Sequence, residues 1–404
     1  MNRSRFLFFL ASIALLVPIV SGTLAGAVSA DGEDAEDSLF RHLSVFSEVL
    51  SLVRRTYVDE TSLDQLFAGA MDGSTDALDP LATYIPAAAT DQFAQTLQIG
   101  SSHSGMHLIR ERGIAYVLSA TPGGPAAAAG LKTGDILSKL DGESTRLMPL
   151  WKILGRFAEP PGTELAIEIL RRGQVLQLTV TLGDFAPPAP VLETRDDVPV
   201  LRLGEIVPEA VEGVTALLEQ ARKDARQEAP ERLILDLRGV SEGQAEVAYA
   251  LGDLFVDGEL GTLRSRDRVL ASFASTEGNT WQGGGRLVVL TDRGTQGASE
   301  ILAAILVERA DAELVGERTF GHAGRQRLVS LSTGAQVYLT DAFYTGPSGE
   351  LLDTALEPEV QVSRGRGTSS GDGAMPATDP ILDRALDLLE SPRGEAEAVE
   401  RDAA

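Results

Sequence analysis

The chain has 404 residues, 43% hydrophobic and 23% charged, an ordinary globular composition with room for two or three domains. A formal charge of −24 argues against nucleic-acid binding, which needs clustered Lys and Arg, and says little beyond solubility. Cysteine is absent, which excludes disulfides, thiolate metal sites and a cysteine-linked lipid anchor.

Arg3 and Arg5 precede an uncharged run from Phe6 to Ala30, and the acidic DGEDAED follows at once. This is the layout of a secretory signal with Val28-Ser29-Ala30 as cleavage site, although residues 6–30 are also long enough to remain as a membrane anchor. Segment 1–30 is therefore read as signal or anchor. The protein is expected to be exported: periplasmic, elsewhere in the cell envelope, secreted or N-terminally anchored.

After an acidic linker at 31–37, residues 38–97 carry apolar residues at helical spacing, broken at Tyr57-Val58-Asp59, with Leu78 to Pro86 as a turn-rich hinge. Residues 98–184 read as a mostly β unit, with runs at Ile114–Leu118, Leu165–Leu170 and Val175–Leu182 and a hairpin turn at Arg171-Arg172-Gly173-Gln174. The Pro-rich stretch Ala186–Pro190 is a stiff linker. From 191 to 365, apolar strands at Leu233–Leu237, Arg286–Asp292 and Glu313–Glu317 alternate with helices at Pro208–Arg226, Ala245–Leu254 and Ser299–Arg309, which predicts an α/β core with parallel pairing. The tail, 366–404, holds one short amphipathic helix, ILDRALDLLE, in an otherwise loop-like, charged stretch.

The stretch TPGGPAAAAGLKTGDILSKLDGE, Thr121 to Glu143, reads as a short helix closed by Gly130, an inward Leu131, a Gly134-Asp135 turn and a strand. It resembles a PDZ domain in the circularly permuted arrangement of bacterial proteases. Such domains bind an extended peptide beside a strand edge and hold its terminal carboxylate with backbone N–H groups. The resemblance assigns peptide binding to Gly105, Met106, His107 and Leu108, with Gly105 admitting the carboxylate close to the backbone. His107 stands where a second glycine is usual. It is expected to face solvent, with a proton-dependent contact or a narrowed peptide choice as the alternative.

Four further segments agree in order along the chain: LVRRTYVDE with LDPLATYIP, LILDLRG, GASEILAAIL with VGERTFG, and YTGPSGELLDTALEPEVQV. Together they resemble the carboxy-terminal processing, or tail-specific, serine peptidases. The resemblance implies a crotonase-like α/β core with an N-terminal helical region, an inserted PDZ domain and a serine nucleophile with a lysine base. Such chemistry needs a serine at a helix start, a desolvated lysine and two N–H donors for the oxyanion.

The working positions depart from that pattern. Aligned on Ala298-Ser299-Glu300, the nucleophile position is Gly297. The lysine of Thr-Phe-Gly-Lys becomes His322, and the supporting glutamine survives as Gln326. In the oxyanion turn Glu242 replaces a glycine. Glycine cannot attack a carbonyl, and loss of a serine nucleophile costs on the order of a millionfold in turnover. The expectation is a non-catalytic homologue that binds protein tails as adaptor or regulator, with an active relative or another envelope protein as partner. Two alternatives stay open. Ser299 and His322 form a rearranged centre, or the vacated helix start captures an anion through its N–H groups. His322 itself is expected to be a partly exposed loop residue, and Ser299 to cap the helix. No cofactor is expected. No metal site is expected either, since His42, His103 and His107 lack ligand spacing with His322.

Overall fold

The computed structural model describes residues 40–225, 232–276, 285–363 and 379–390, so the expected signal or anchor, the acidic linker and most of the tail lie outside the described residues. Among the described residues no helix is long and apolar enough to cross a membrane. The chain divides into two units, residues 1–70 and 71–404. The first holds α1 (residues 40–56), which leaves Phe40, Leu43, Val45, Val49 and Leu52 exposed, and the beginning of α2 (Leu63–Asp76).

In the second unit the segment expected as a hinge contains a strand instead. β1 (Thr83–Ile85) pairs antiparallel with Gln336–Tyr338, and Ile85 is fully buried against Phe93 of α3 (Thr90–Ile99). The turn before it is closed by the Asp79 carboxylate, which accepts the Leu81 N–H at 2.9 Å.

A small β domain follows: β2 (Met106–Glu111), β3 (Ile114–Ala120), α4 (Pro125–Ala128), β4 (Ile136–Leu140), β5 (Glu143–Ser144), α5 (Leu150–Phe157), β6 (Glu164–Arg171) and β7 (Gln174–Thr181). The sheet order is β2-β3-β4-β6-β7, with β5 beside β4, so β2 is an edge strand. The β6–β7 hairpin turns through Arg172 and Gly173, both at positive φ (50° and 80°), the conformation whose twist matches paired strands. Alternate residues of β6 (Leu165, Ile167, Ile169) point inward, where they meet Ile153 and Phe157 of α5. Arg110 of β2 pairs with Asp72 at the end of α2 at 2.9 Å.

The core comprises β8 (Val191–Arg195), β9 (Val198–Arg202), α6 (Pro208–Ala225), β10 (Arg232–Asp236), α7 (Ala245–Asp253), β11 (Glu259–Arg264), β12 (Val269–Ala274), β13 (Arg286–Thr291), α8 (Ala298–Ala310), β14 (Glu313–Gly316), β15 (Gly324–Ser330), β16 (Gln336–Tyr344), β17 (Val360–Gln361) and α9 (Pro380–Glu390). Its central sheet runs β17-β14-β13-β10-β9-β8, parallel except for the β8–β9 pair. Both faces are covered, which is why these strands read as continuous apolar runs. Leu233, Leu235, Leu287 and Val289 meet α7 and α8 on one face, while Ile234, Val288, Leu290 and Val315 meet α9 on the other. The helix expected within the tail is thus one layer of the core. A second sheet, absent from the sequence reading, runs β1-β16-β11-β12 with β15 beside β16, and all of its pairs are antiparallel.

The LILDLRG run ends in a buried ion cluster. Arg238 bonds Asp236 at 2.7 Å and Asp379, just before α9, at 2.7 Å, so it ties the central sheet to its covering helix. Arg238→Met leaves Asp236, 3% exposed, with the backbone N–H of residue 238 at 3.1 Å and the Arg202 contact at 3.2 Å. The expected cost is about 3 kcal/mol in urea denaturation, within the range for a broken buried pair.

Candidate active-site cleft

Helix α8 is buried all round from Ala298 to Leu306, as the apolar run from Ile301 to Val307 requires, and its first turn opens into a cleft of about 490 Å³. Gly297, where the resemblance places a nucleophile, is the N-cap of α8 at φ 66° and ψ −113°. A Cβ added there would have His322 O as its nearest contact, at 4.0 Å, so the position has room for a side chain. What opposes one is backbone conformation, since a non-glycine residue at this positive φ costs about 1–3 kcal/mol.

Glu300 organises the helix start. Its carboxylate, 1% exposed, accepts the N–H of Gly297 at 2.9 Å, of Gly321 at 2.6 Å and of His322 at 3.0 Å, together with the Thr319 hydroxyl. Burial pushes this carboxyl above its usual range, against the pull of its four donors. In the sequence Glu300 only fixes the register of the motif. Its place three residues after the N-cap is the capping-box position, a signal that points to this role. Because Gly297 N–H is already bonded, the helix start does not offer that group to an anion.

His322 is buried at 5% exposure rather than partly exposed, because the second sheet covers it. Its Nε2 lies 3.1 Å from Thr340 Oγ1 on β16 and 3.3 Å from the side-chain amide of Gln326 on β15, and its ring stands edge-on to Phe343 at 5.2 Å. Burial lowers its pKa, with Asp79 and Asp353 acting the other way. Ser299 lies outside the cleft with no exposed surface. Its hydroxyl donates to Val240 O at 2.6 Å and accepts the Gln296 N–H at 2.9 Å, and no hydrogen bond joins it to His322.

Three of the four expected peptide-binding residues, Met106, His107 and Leu108, line the same cleft with Leu150, Leu154 and Phe157 of α5. The spacing of those apolar residues is helical, a signal that locates α5 in the sequence. Gly105 does not line the cleft. Its N–H donates to Ser101 O at 2.6 Å, and an added Cβ would lie 2.9 Å from the Phe185 ring and 3.1 Å from Gly124 Cα. Glycine is needed there for packing, since its donor is already taken.

His107 does not face solvent. Its Nε2 lies 2.8 Å from Glu242 Oε2, which also accepts the Ser101 hydroxyl, and Glu205 is close by. Burial would lower the His107 pKa, but the carboxylates of Glu242 and Glu205 override it and hold it above the usual imidazole value. Burial would raise Glu242, but His107 and Ser101 hold it below the usual range. Glu205 is raised by burial and by Glu242. The Glu242 side chain is therefore turned toward the PDZ-like domain. A second link between β3 and the same turn is the Ser119–Ser241 hydroxyl pair.

An edge-strand β domain sharing one cleft with the start of a buried α/β helix is the architecture of a peptide-binding module mounted on a peptidase-type core. Residues 202–362 match Peptidase family S41, and residues 116–171 match the PDZ domain. The carboxy-terminal-processing protease of Bartonella bacilliformis is 23% identical, covering 89% of this chain and 83% of that one. Carboxy-terminal processing protease CtpA of Bacillus subtilis is 26% identical over 89% and 78%. The carboxyl-terminal-processing protease of Synechocystis is 32% identical over 57% and 55%. The solved structure of the photosystem II D1 C-terminal processing protease shares the fold, with a TM-score of 0.62 at 22% identity over 86% of this chain and 96% of that one. The chain thus carries a PDZ domain and a region of Peptidase family S41, and over most of its length it is similar to carboxy-terminal processing proteases.

Two outcomes check the cleft. Glu300→Ala strands buried N–H donors and is expected to cost at least about 3 kcal/mol in urea denaturation. The His322 ring signal is expected to titrate below 6.5 by NMR. Since the unfolded chain then binds this proton more readily, the contribution of His322 to stability is present above the ordinary imidazole pKa. It is lost as pH falls from there toward the lower folded value.

Proposed function

We propose that this protein is an exported member of its family that captures the C-terminal tails of other proteins and does not cleave them, acting as an adaptor or regulator in the cell envelope. One observation carries the reading. Where the family resemblance calls for a nucleophile, Gly297 presents no side chain to a cleft that has room for one. Two other features support it. His322 stands in place of a lysine, held between Thr340, Gln326 and Phe343. Glu242 brings a carboxylate to the turn that would have to stabilise an oxyanion, and negative charge there works against the reaction.

Capture of tails is supported by β2, which has no strand beside it on one edge although its Arg110 N–H is bonded to Pro80 O, and by the apolar groove between β2 and α5 that runs into the cleft. Strand addition there would supply main-chain hydrogen bonds, and the groove would take alternate side chains. The rival reading, a Ser299/His322 centre, needs a serine hydroxyl aimed at the imidazole. The Ser299 hydroxyl is directed to Val240 O and the α8 turn, which speaks against it.

The test compares the wild-type chain with Gly297→Ser/His322→Lys and with the same pair plus Glu242→Gly. Labelling by a fluorophosphonate probe and cleavage of an unstructured protein are measured. Peptide binding is followed with free and amidated C-termini. The wild type is expected to bind the free terminus more tightly, to take no label and to cleave nothing, with any gain confined to the variants. Cleavage by the wild type that disappears on Ser299→Ala would overturn the proposal.

A further inference from the structure

Two departures from the family pattern lie 135 positions apart in sequence and meet in space. His107 on the PDZ edge strand and Glu242 in the core turn both stand where the resemblance expects glycine, and their side chains are 2.8 Å apart. Glu205, from the loop after β9, completes the group, and one ligand-type atom from each of the three residues lies within 4.8 Å of the others. We propose that His107, Glu205 and Glu242 form a binding site for one divalent transition-metal ion, zinc in the first instance, which pins the PDZ domain to the core.

The donor set fits that class of ion. One imidazole and two carboxylates suit zinc and its neighbours, whereas magnesium and calcium prefer oxygen alone. Zinc bonds to such ligands are about 2.0–2.2 Å long, so ligand atoms about 3–4 Å apart can share one ion, with water completing four-coordination. The charge fits as well. Two carboxylates converge with one imidazole between them, and among the described residues neither Glu205 nor Glu242 pairs with Lys or Arg. A divalent cation would neutralise both.

Orientation gives a third argument. The buried Nε2 of His107 approaches Glu242 closely but off the line of a hydrogen bond, and it has no other hydrogen-bond partner. The Glu205 carboxylate accepts no hydrogen bond among the described residues. The Ser101 hydroxyl donates to Glu242 Oε2, the oxygen nearest His107, and no hydrogen bond reaches Oε1 among the described residues. Because the ligands come from β2, the loop after β9 and the turn after β10, an ion here would oppose any separation of the PDZ edge from the cleft.

The experiment uses the full chain without an affinity tag, stripped of metal by a chelator, and titrates zinc by calorimetry. Cobalt(II) substitution adds a spectroscopic reading of imidazole ligation. Expected are one zinc per chain, a higher unfolding temperature with zinc, and weakening by about tenfold or more in His107→Gln and Glu205→Gln, in line with the sensitivity of metal sites to their ligands. The cobalt visible bands should change in His107→Gln and persist in His42→Gln, a control for an exposed histidine. All variants are compared for unfolding temperature in chelator. Should His107→Gln fail to fold, the half-buried Glu205→Gln decides the question. No saturable binding, or zinc binding unchanged in the ligand variants, would overturn the proposal.

Discussion

A single carboxylate holds the two walls of the cleft in register. Glu300 sits at the start of α8 and gathers donors from that helix start and from the loop that carries His322. A buried charge of this kind persists only when its hydrogen bonds are complete, so the loop cannot move far from the helix without exposing or orphaning them. The bonds also fix the shape of the helix start without any side chain at position 297. The backbone geometry at Gly297 is set by Glu300 and by the glycine itself, and no serine side chain is needed to maintain it.

The second constraint is the joint between domains. In many two-domain chains the interface is polar and the domains move. Here partly buried groups cross it: Glu242 faces His107 and Ser101, and Ser241 meets Ser119. The turn that would have to greet an oxyanion is thus engaged with the PDZ edge strand. The same residues that weaken the case for catalysis strengthen the connection between the two modules.

Much of the architecture was legible in the chain. The interiors of β10, β13 and β14 (Leu233–Leu235, Leu287–Leu290 and Leu314–Val315) are continuously apolar because both sheet faces are covered, and the β6–β7 hairpin is announced by Arg172-Gly173. The second sheet was not, because β15 and β16 mix polar and apolar residues at half-buried positions and show no clean alternation. His322 was misjudged for the same reason, since the strands that bury it were not foreseen. Gly105 was assigned to a ligand when its lack of a side chain serves Phe185 and Gly124. The structure favours a charged contact of His107 over a solvent-facing one, and its partner Glu242 lies too far along the chain for spacing to reveal it.

The sequence by itself determined the order of the modules, the parallel core strands, the buried helix α8 and which residues stand where the resemblance expects a nucleophile and a base, since each rests on local pattern or on aligned motif. Only the tertiary structure decided where those residues point. It buried His322 behind the second sheet, turned the Ser299 hydroxyl into the helix cap, gave Glu300 its four donors and brought Glu205 and Glu242 to His107. The reason is physical. Burial and pairing are properties of segments that meet across long loops, and spacing along the chain carries no record of which distant side chain arrives opposite.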